Sequence, residues 1–289
     1  MKHMLPETNE QRRACREAPR HHTESIGSPH LRVKRILVLS IALAALVSAV
    51  STAPAFAEVR AADRVDGVSA RDIGVPTQAM PDVTMKAGLL VTDDGRVLWA
   101  RRPSDRRAMA SLTKIMTAVV AMEHSKPTDI VTVGHDSKLV GESTSFLREG
   151  ERLPMSELLE ALLVKSGNDA AVAIAEHIGG NQDKFVAMMN QKAAELGLSR
   201  TRFANPHGLD ESDHYTTAAD LAVLARYAMS KPEFREIVGE KYATIGSGGR
   251  AEQLTSTNLL LGNYQGANGI KTGWTGDAGY CVIDSAARD

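Results

Sequence analysis

The sequence is poor in cysteine and has no excess of positive charge. Its 289 residues include two cysteines, Cys15 and Cys281, which excludes a small scaffold held together by many disulfides. The 34 basic residues are balanced by 35 acidic ones, and no basic patch that would indicate nucleic-acid binding appears after residue 57. A chain of this length can instead bury a hydrophobic core in one domain or two small ones.

A long apolar run near the N-terminus, residues 36–50, predicts export. It follows Lys34 and Arg35 and leads into a small-residue segment that ends at Ala57. A basic patch, an apolar core and an Ala-x-Ala end together predict a secretory signal, cleaved after Ala57. Cleavage would remove Cys15 and place the rest of the chain in the cell envelope. An uncleaved anchor is the alternative, and we expect no membrane contact beyond this segment.

Three regions follow from these patterns. Residues 1–57 form a polar N-terminal extension and the signal, residues 58–80 lack periodicity and are interpreted as a linker, and residues 81–289 are predicted to fold. After residue 57 the chain has 26 basic and 31 acidic residues, so the folded part is mildly acidic.

The folded region is predicted to have strands at both ends and helices between them. Residues 87–100 form two apolar runs around Asp94-Gly95, a strong hairpin signal. Apolar periodicity and capping residues then predict helices from Ser111 and over residues 153–164, 169–178, 181–197 and 217–231. Residues 269–274 and 279–286 return to strand patterns. We therefore expect one α+β domain in which the two ends of the chain close a single antiparallel sheet.

The segment Ala110-Ser111-Leu112-Thr113-Lys114 places a hydroxyl and an amine at the start of an apolar helix. Residues three apart lie on one face of a helix, so Ser111 and Lys114 point the same way. Burying a charged lysine beside the hydrophobic core costs free energy, so such a residue usually has a partner or a function. The alternative is structural: the serine caps the helix and the lysine extends its ammonium group to water.

Two later motifs favour the functional interpretation of Ser111 and Lys114 over the structural one. Ser166-Gly-Asn168 lies between two predicted helices, and Lys271-Thr272-Gly273 lies on a late strand. Taken separately, the first is compatible with an ordinary turn and the second with an edge strand. The ordered set S-x-x-K, S-x-N and K-T-G is much rarer than any one of its members.

With these motifs the sequence resembles the serine-type D-alanyl-D-alanine carboxypeptidases, which are low-molecular-mass penicillin-binding proteins. The resemblance runs from about Met85 to the end and includes residues 205–210 (NPHGLD) and 271–281 (KTGWTGDAGYC). It implies an antiparallel sheet flanked by a helical cluster. In the family a further strand and a C-terminal helix follow, so the resemblance implies that the domain at 81–289 lacks both.

The chemistry of the motifs suggests how the first pair works. A serine hydroxyl needs an adjacent base, and a neutral lysine can provide one. Burial and a second cation nearby both lower a lysine pKa. We therefore expect Ser111 to be the nucleophile, Lys114 the general base and Lys271 the second cation.

The remaining roles are implied by the resemblance. Ser166 would relay a proton to the leaving D-alanine, and Asn168 would bind the peptide backbone. Lys271 and Thr272 would bind the terminal carboxylate of the substrate, although Ala251 to Ile270 contains no further basic residue to assist them. Gly273 would leave room for the substrate along the strand, and the backbone N–H groups of Ser111 and Trp274 would form the oxyanion hole.

The resemblance implies a penicillin-sensitive D,D-carboxypeptidase that removes terminal D-Ala from peptidoglycan stem peptides. These peptides would be its partners, β-lactams its covalent inhibitors, and no cofactor or metal is expected. Cross-link endopeptidase activity remains open. The alternatives are a non-catalytic penicillin- or peptidoglycan-binding protein and a class A-like β-lactamase. His207 is interpreted as a loop-ordering side chain rather than a catalytic one.

Overall fold

The computed structural model describes residues 63–65, 68–69, 83–246 and 248–287. All of them belong to the unit Ala57–Asp289. The predicted signal at residues 1–57 and most of the predicted linker lie outside the described residues.

The first sheet has four antiparallel strands in the order β2-β1-β4-β3. The strands are β1 (Asp63–Val65), β2 (Val68–Ser69), β3 (Gly88–Val91) and β4 (Val97–Arg101). The predicted hairpin at 87–100 is confirmed as β3 and β4. Strands β1 and β2 lie within the segment 58–80 that was predicted as a linker, and Val65 pairs with Val68 between them.

Seven helices are described between the terminal strands. They are α1 (Lys114–His124), α2 (His135–Leu139), α3 (Met155–Leu163), α4 (Asn168–Gly179), α5 (Gln182–Glu195), α6 (Ala218–Met229) and α7 (Pro232–Gly239). Two small hairpins accompany them: β5 (Ile130–Thr132) with β6 (Arg152–Pro154), and β7 (Tyr242–Ile245) with β8 (Glu252–Thr255). The α+β class is thus confirmed.

Helices α1 and α4 form the centre of the hydrophobic core. Residues 114–121 of α1 and 168–175 of α4 are all buried, because small and apolar side chains cover nearly their whole circumference. Burial on every face is expected of helices that have no solvent side. The predicted site residues Ser111 and Lys114, at the start of α1, are therefore attached to the buried centre of the fold.

Capping residues set several helix boundaries. The Asn181 side chain accepts a hydrogen bond from Lys184 N at the start of α5, and Thr217 accepts one from Asp220 N at the start of α6. Both caps were predicted from the sequence. Helix α7 was not predicted, because the helix predicted over residues 217–231 stops just before Pro232. Proline is also favoured at the first position of a helix, and here it begins α7.

The C-terminal strands β9 (Ala267–Thr275) and β10 (Gly279–Ala286) pair antiparallel over nearly their whole length. The expectation of a single closed sheet is wrong for the described residues. No described strand pairs with both β3 and β10, so the terminal hairpins belong to separate sheets. In the same residues, no helix combines the length and apolarity needed to cross a bilayer.

Candidate active site

A short 3₁₀ turn, Ala110–Thr113, leads directly into α1 and carries Ser111, while Lys114 is the first residue of the helix. The Lys114 Nζ lies 2.9 Å from Ser111 Oγ. It lies 2.7 Å from Asn168 Oδ1 and 2.6 Å from the His207 carbonyl oxygen. The predicted pair thus meets in space, and two further chain segments fix its amine.

The ammonium form of Lys114 is strongly disfavoured. The side chain is completely buried, and this burial together with the nearby charge of Lys271 holds the pKa of Lys114 well below its usual value. Asp169 and Glu142 oppose this shift. In the described part of the chain, no carboxylate bonds to the Lys114 amine; both of its other partners are uncharged carbonyl groups.

The S-x-N motif forms the turn between α3 and α4. Ser166 is 5% exposed and has a φ of 68°, an uncommon backbone conformation for a serine. Asn168 begins α4, and its amide bridges two parts of the site: Oδ1 accepts a hydrogen bond from Lys114, while Nδ2 donates one to the Gly141 carbonyl. Asn168 therefore holds the amine of Lys114, a contact that sequence reasoning did not predict.

The K-T-G motif lies in the middle of β9. Lys271 is 1% exposed, its Nζ donates to the Thr272 carbonyl at 2.9 Å, and burial lowers its pKa to about 7. The Thr272 hydroxyl lies 2.6 Å from that of Thr257. A Cβ at Gly273 would be 2.8 Å from the backbone nitrogen of Ser111, closer than real side chains approach. Glycine therefore lets β9 lie directly against the turn that carries Ser111.

Trp274 differs from the other predicted site residues because it is exposed. Its side chain is 58% exposed, and its ring centroid is 6.5 Å from that of Tyr280 on β10. The predicted role concerns the backbone N–H of this residue, which follows Gly273 on the strand nearest to Ser111. The side chain itself contributes an aromatic surface beside the site.

The segment NPHGLD packs against the start of α1. The Pro206 carbonyl accepts a hydrogen bond from Thr117 Oγ1 at 2.6 Å, and the next carbonyl, of His207, accepts one from Lys114. The His207 ring accepts a hydrogen bond from Leu209 N, and burial lowers its pKa to about 3. These contacts fit a loop-ordering role for the ring, while the main chain of His207 contacts Lys114, the predicted base.

Asp169 is a buried residue that sequence reasoning missed. Its carboxylate accepts hydrogen bonds from the backbone N–H groups of Ser145 and Leu147 and from the Thr144 hydroxyl. It therefore anchors the loop that follows Gly141 beside Asn168. The available signal was an acidic residue in the first turn of a helix, but the sequence does not show which backbone it would bind.

The described residues contain no group of three or more His, Cys, Asp or Glu side chains placed to hold a metal ion. The chemical groups at this site are instead the hydroxyls of Ser111, Ser166 and Thr272, two buried lysines, an amide and backbone N–H groups. This set can activate a serine and bind an anion.

The comparisons with known proteins agree with this chemistry. The family described as D-alanyl-D-alanine carboxypeptidase matches residues 75–289. The chain belongs to this family.

Two curated relatives illustrate the extent of the match. The D-alanyl-D-alanine carboxypeptidase DacF of Bacillus subtilis is 38% identical over 226 residues, which is 76% of this chain and 58% of DacF. The D-alanyl-D-alanine carboxypeptidase DacD of Escherichia coli is 41% identical over 204 residues, 66% of this chain and 52% of DacD. The chain thus spans a little over half the length of these relatives.

Solved structures support the fold. A D-alanyl-D-alanine carboxypeptidase from Mycobacterium tuberculosis gives a TM-score of 0.70 at 34% identity, covering 72% of this chain and 80% of that one. A variant of the Streptomyces K15 DD-transpeptidase gives 0.69 at 31% identity, covering 72% and 88%. The antiparallel hairpins and helical cluster of this family member are therefore those of the D,D-peptidase fold.

Proposed function

We propose that this protein is a serine D,D-carboxypeptidase that releases the terminal D-Ala of peptidoglycan stem peptides through an acyl-enzyme. The observation that carries the proposal is the 2.9 Å contact between Ser111 and the buried amine of Lys114, with Lys271 close enough to lower the pKa of Lys114. A hydroxyl beside an amine that is easily neutral is the arrangement a serine nucleophile needs. Membership of the family supplies the substrate class.

Acylation begins with proton transfer from Ser111 to Lys114. A neutral amine has two N–H donors and one lone pair. The carbonyls of Asn168 and His207 take up the two donors, which leaves the lone pair for the Ser111 hydroxyl. The Ser111 oxygen then attacks the carbonyl carbon of the D-Ala-D-Ala amide as its proton moves to Lys114 Nζ.

The tetrahedral intermediate is stabilised by backbone donors, and its collapse needs a proton for the leaving group. The proposed donors are the N–H groups of Ser111 and Trp274, which lie on the two segments in contact at Gly273. The proton taken by Lys114 passes through the Ser166 hydroxyl to the departing D-Ala nitrogen. The C–N bond breaks, D-Ala leaves as the free amine, and an ester to Ser111 remains.

The substrate is held by its carboxylate and by its main chain. Lys271 and Thr272 bind the terminal carboxylate, which favours the charged form of a lysine whose pKa is otherwise lowered to about 7. Asn168 binds the peptide backbone and also holds the amine of Lys114. Gly273 keeps β9 free of a side chain where the substrate lies alongside the strand.

Hydrolysis of the ester completes the cycle. Lys114, neutral again, takes a proton from a water molecule that attacks the acyl carbon, and the Ser111 oxygen recovers that proton as it leaves. A penicillin acylates Ser111 in the same way: the Ser111 oxygen attacks the lactam carbonyl, the ring C–N bond breaks, and the ring nitrogen stays attached to the ester and takes up the proton. The apolar run and Ala-x-Ala end near residue 57 support export, so we place this activity in the cell envelope, with contact to the membrane only if the signal is retained.

The test is release of D-Ala from diacetyl-Lys-D-Ala-D-Ala by the purified chain, with Ser111→Ala as control. We expect release that depends on Ser111 and is blocked by penicillin. Covalent labelling by penicillin without release would instead indicate a binding protein. Rapid turnover of the penicillin itself would indicate a β-lactamase.

A further inference from the structure

Thr113 lies between the proposed nucleophile and base and is completely buried. Its hydroxyl donates a hydrogen bond to the Ala110 carbonyl at 2.9 Å. The same oxygen lies 2.7 Å from Nε2 of His214, a residue 101 positions later in the chain that is only 5% exposed. A buried chain of contacts therefore leads from His214 through Thr113 to the residue that precedes Ser111.

The donors and acceptors in these hydrogen bonds follow from Nδ1, the other ring nitrogen of His214. The backbone N–H of Ala204 donates to His214 Nδ1 at 2.9 Å. Because Nδ1 accepts, the single proton of the neutral ring is on Nε2 and is donated to Thr113. The Thr113 hydroxyl then has its own proton free for the Ala110 carbonyl. Burial lowers the pKa of His214 to about 4, which keeps the ring neutral.

Ala110 needs such support because its backbone is in an uncommon conformation. Its φ is 49°, in the left-handed region that residues other than glycine rarely adopt. On another side, its carbonyl packs against Gly208, where any Cβ would overlap the Ala110 oxygen. The Thr113 hydroxyl and the bare backbone of Gly208 thus hold one carbonyl in place.

That carbonyl belongs to the same peptide plane as the N–H of Ser111. A trans peptide is planar, and its C=O and N–H point in opposite directions. Fixing the Ala110 oxygen therefore fixes the direction of the Ser111 N–H. The Ser111 nitrogen lies beside Gly273 of β9, the strand along which the substrate is proposed to bind.

We propose that His214 is a positioning residue for acylation: through Thr113 it sets the Ala110–Ser111 peptide plane and so aims the Ser111 N–H at the developing oxyanion. This inference rests on the proposed function of Ser111 as the nucleophile. It assigns a role to a histidine that has no metal-binding or catalytic spacing in the sequence. Neither His214 nor Thr113 touches the substrate in this account.

The decisive variant is Thr113→Val, which removes the hydroxyl and nearly preserves the shape. Loss of an oxyanion-hole donor lowers rates by about 10²–10³-fold, so misdirecting one should slow acylation by penicillin about 10- to 100-fold. We expect the affinity of the noncovalent complex formed before acylation to change less than about threefold. A peptide boronic acid, which forms a tetrahedral adduct with serine, should lose affinity by about the same factor as the acylation rate.

Thr217→Val is the matched control. Thr217 is a buried threonine that caps the start of α6, and its hydroxyl accepts a hydrogen bond from Asp220 N instead of binding the Ala110 carbonyl. It should lower the melting temperature about as much as Thr113→Val while acylation stays within about threefold of the parent. Equal slowing by the two variants would show a merely structural role and overturn the proposal.

Variants at His214 test the hydrogen bond from its ring to the Thr113 hydroxyl. His214→Phe lacks the donor and should slow acylation as Thr113→Val does, whereas His214→Gln, which can present an amide N–H to Thr113, should recover part of the rate. In a Thr113→Val background, His214→Phe should cause little further slowing of acylation.

If His214→Phe fails to fold, the acylation rate of Thr113→Val still tests the proposal. Parent-like acylation in folded Thr113→Val would refute the positioning role alone, whereas an unreactive parent would refute the proposed function and this inference with it.

Discussion

A pair of lysines lies near each end of helix α1, and the two pairs have opposite electrostatic surroundings. At the first end Lys114 and Lys271 are buried, and both pKa values are lowered, that of Lys271 to about 7. At the other end Glu123 lies 2.8 Å from Lys192 and 2.9 Å from Lys231, and the pKa of Lys192 is raised.

The difference shows what a carboxylate does to a lysine. Glu123 forms ion pairs with both lysines, and Lys192 also pairs with Glu195 at 2.6 Å. The hydrogen bonds from these partners lower the pKa of Glu123 to about 2, so its carboxylate stays charged at every ordinary pH. No carboxylate among the described residues forms a hydrogen bond with Lys114 or Lys271, and each of these amines is easily deprotonated. A lysine of the first kind can act as a base or bind an anion, whereas one of the second kind can only pair.

The largest expected effect comes from removing the proposed base. Lys114→Met keeps the volume of the side chain but removes the amine, so acylation by penicillin should fall by about 10³-fold, within the range for general-base catalysis. Lys192→Met, at the other end of α1, should acylate at the parent rate. Stopped-flow or gel-based rates with a fluorescent penicillin would measure both. Near-parent acylation in Lys114→Met would mean that another residue is the base.

A smaller effect, of a different kind, is expected at Lys271. Lys271→Met should reduce kcat/KM for the D-Ala-D-Ala peptide by roughly 10- to 100-fold, mainly through KM, because a charged hydrogen bond to the carboxylate is lost. The comparison substrate is the same peptide with an amidated C-terminus. The kcat/KM for the amidated peptide should change little on the substitution. An equal loss of kcat/KM for both peptides would argue against carboxylate binding by Lys271.

The pH dependence should separate the two lysines at the site. Lys271 must be protonated to bind a carboxylate, and its pKa in the free protein is about 7, so kcat/KM should fall as pH rises above about 7. Lys114 must be neutral, so the rate should also fall at low pH. Lys271→Arg remains charged at every pH used and should move the high-pH fall upward. A parent-like fall in Lys271→Arg would assign it to another group.

The smallest effect is expected at the far end of α1. Glu123→Gln removes the charged partner of Lys192 and Lys231. The three side chains are 17–25% exposed, so solvent still screens the ion pairs in part, and we expect a loss of about 1 kcal/mol. Because the pKa of Glu123 is lowered, its contribution is present above the usual carboxyl pKa and is lost as pH falls toward about 2. Melting temperatures of parent and variant should therefore converge in acid, while acylation at neutral pH stays unchanged. A gap that persists at pH 2 would contradict this assignment.

Local parts of the site could be predicted from the sequence because they depend on spacing along one helix. Ser111 and Lys114 are three residues apart, and their contact follows from helix geometry. The contact of Lys114 with Asn168, 54 residues later, depends on how α1 and α4 pack, and no pattern in the sequence encodes that register. The same holds for the contact of His214 with Thr113, 101 residues earlier, which no pattern in the sequence predicts.

Errors in the predicted fold also have local causes. Pro232 is compatible with the end of one helix and the start of the next, and α7 was missed for that reason. Strands β1 and β2 are three and two residues long, too short to show alternation. The terminal hairpins were predicted correctly, but which hairpins share a sheet depends on long-range pairing.

The most direct test of the central claim is the location of a penicillin adduct. The purified chain is treated with penicillin and digested, and the modified peptide is identified by mass spectrometry. We predict a single adduct on Ser111, absent in Ser111→Ala and formed far more slowly in Lys114→Met. An adduct on another residue, or labelling that persists in Ser111→Ala, would contradict the account.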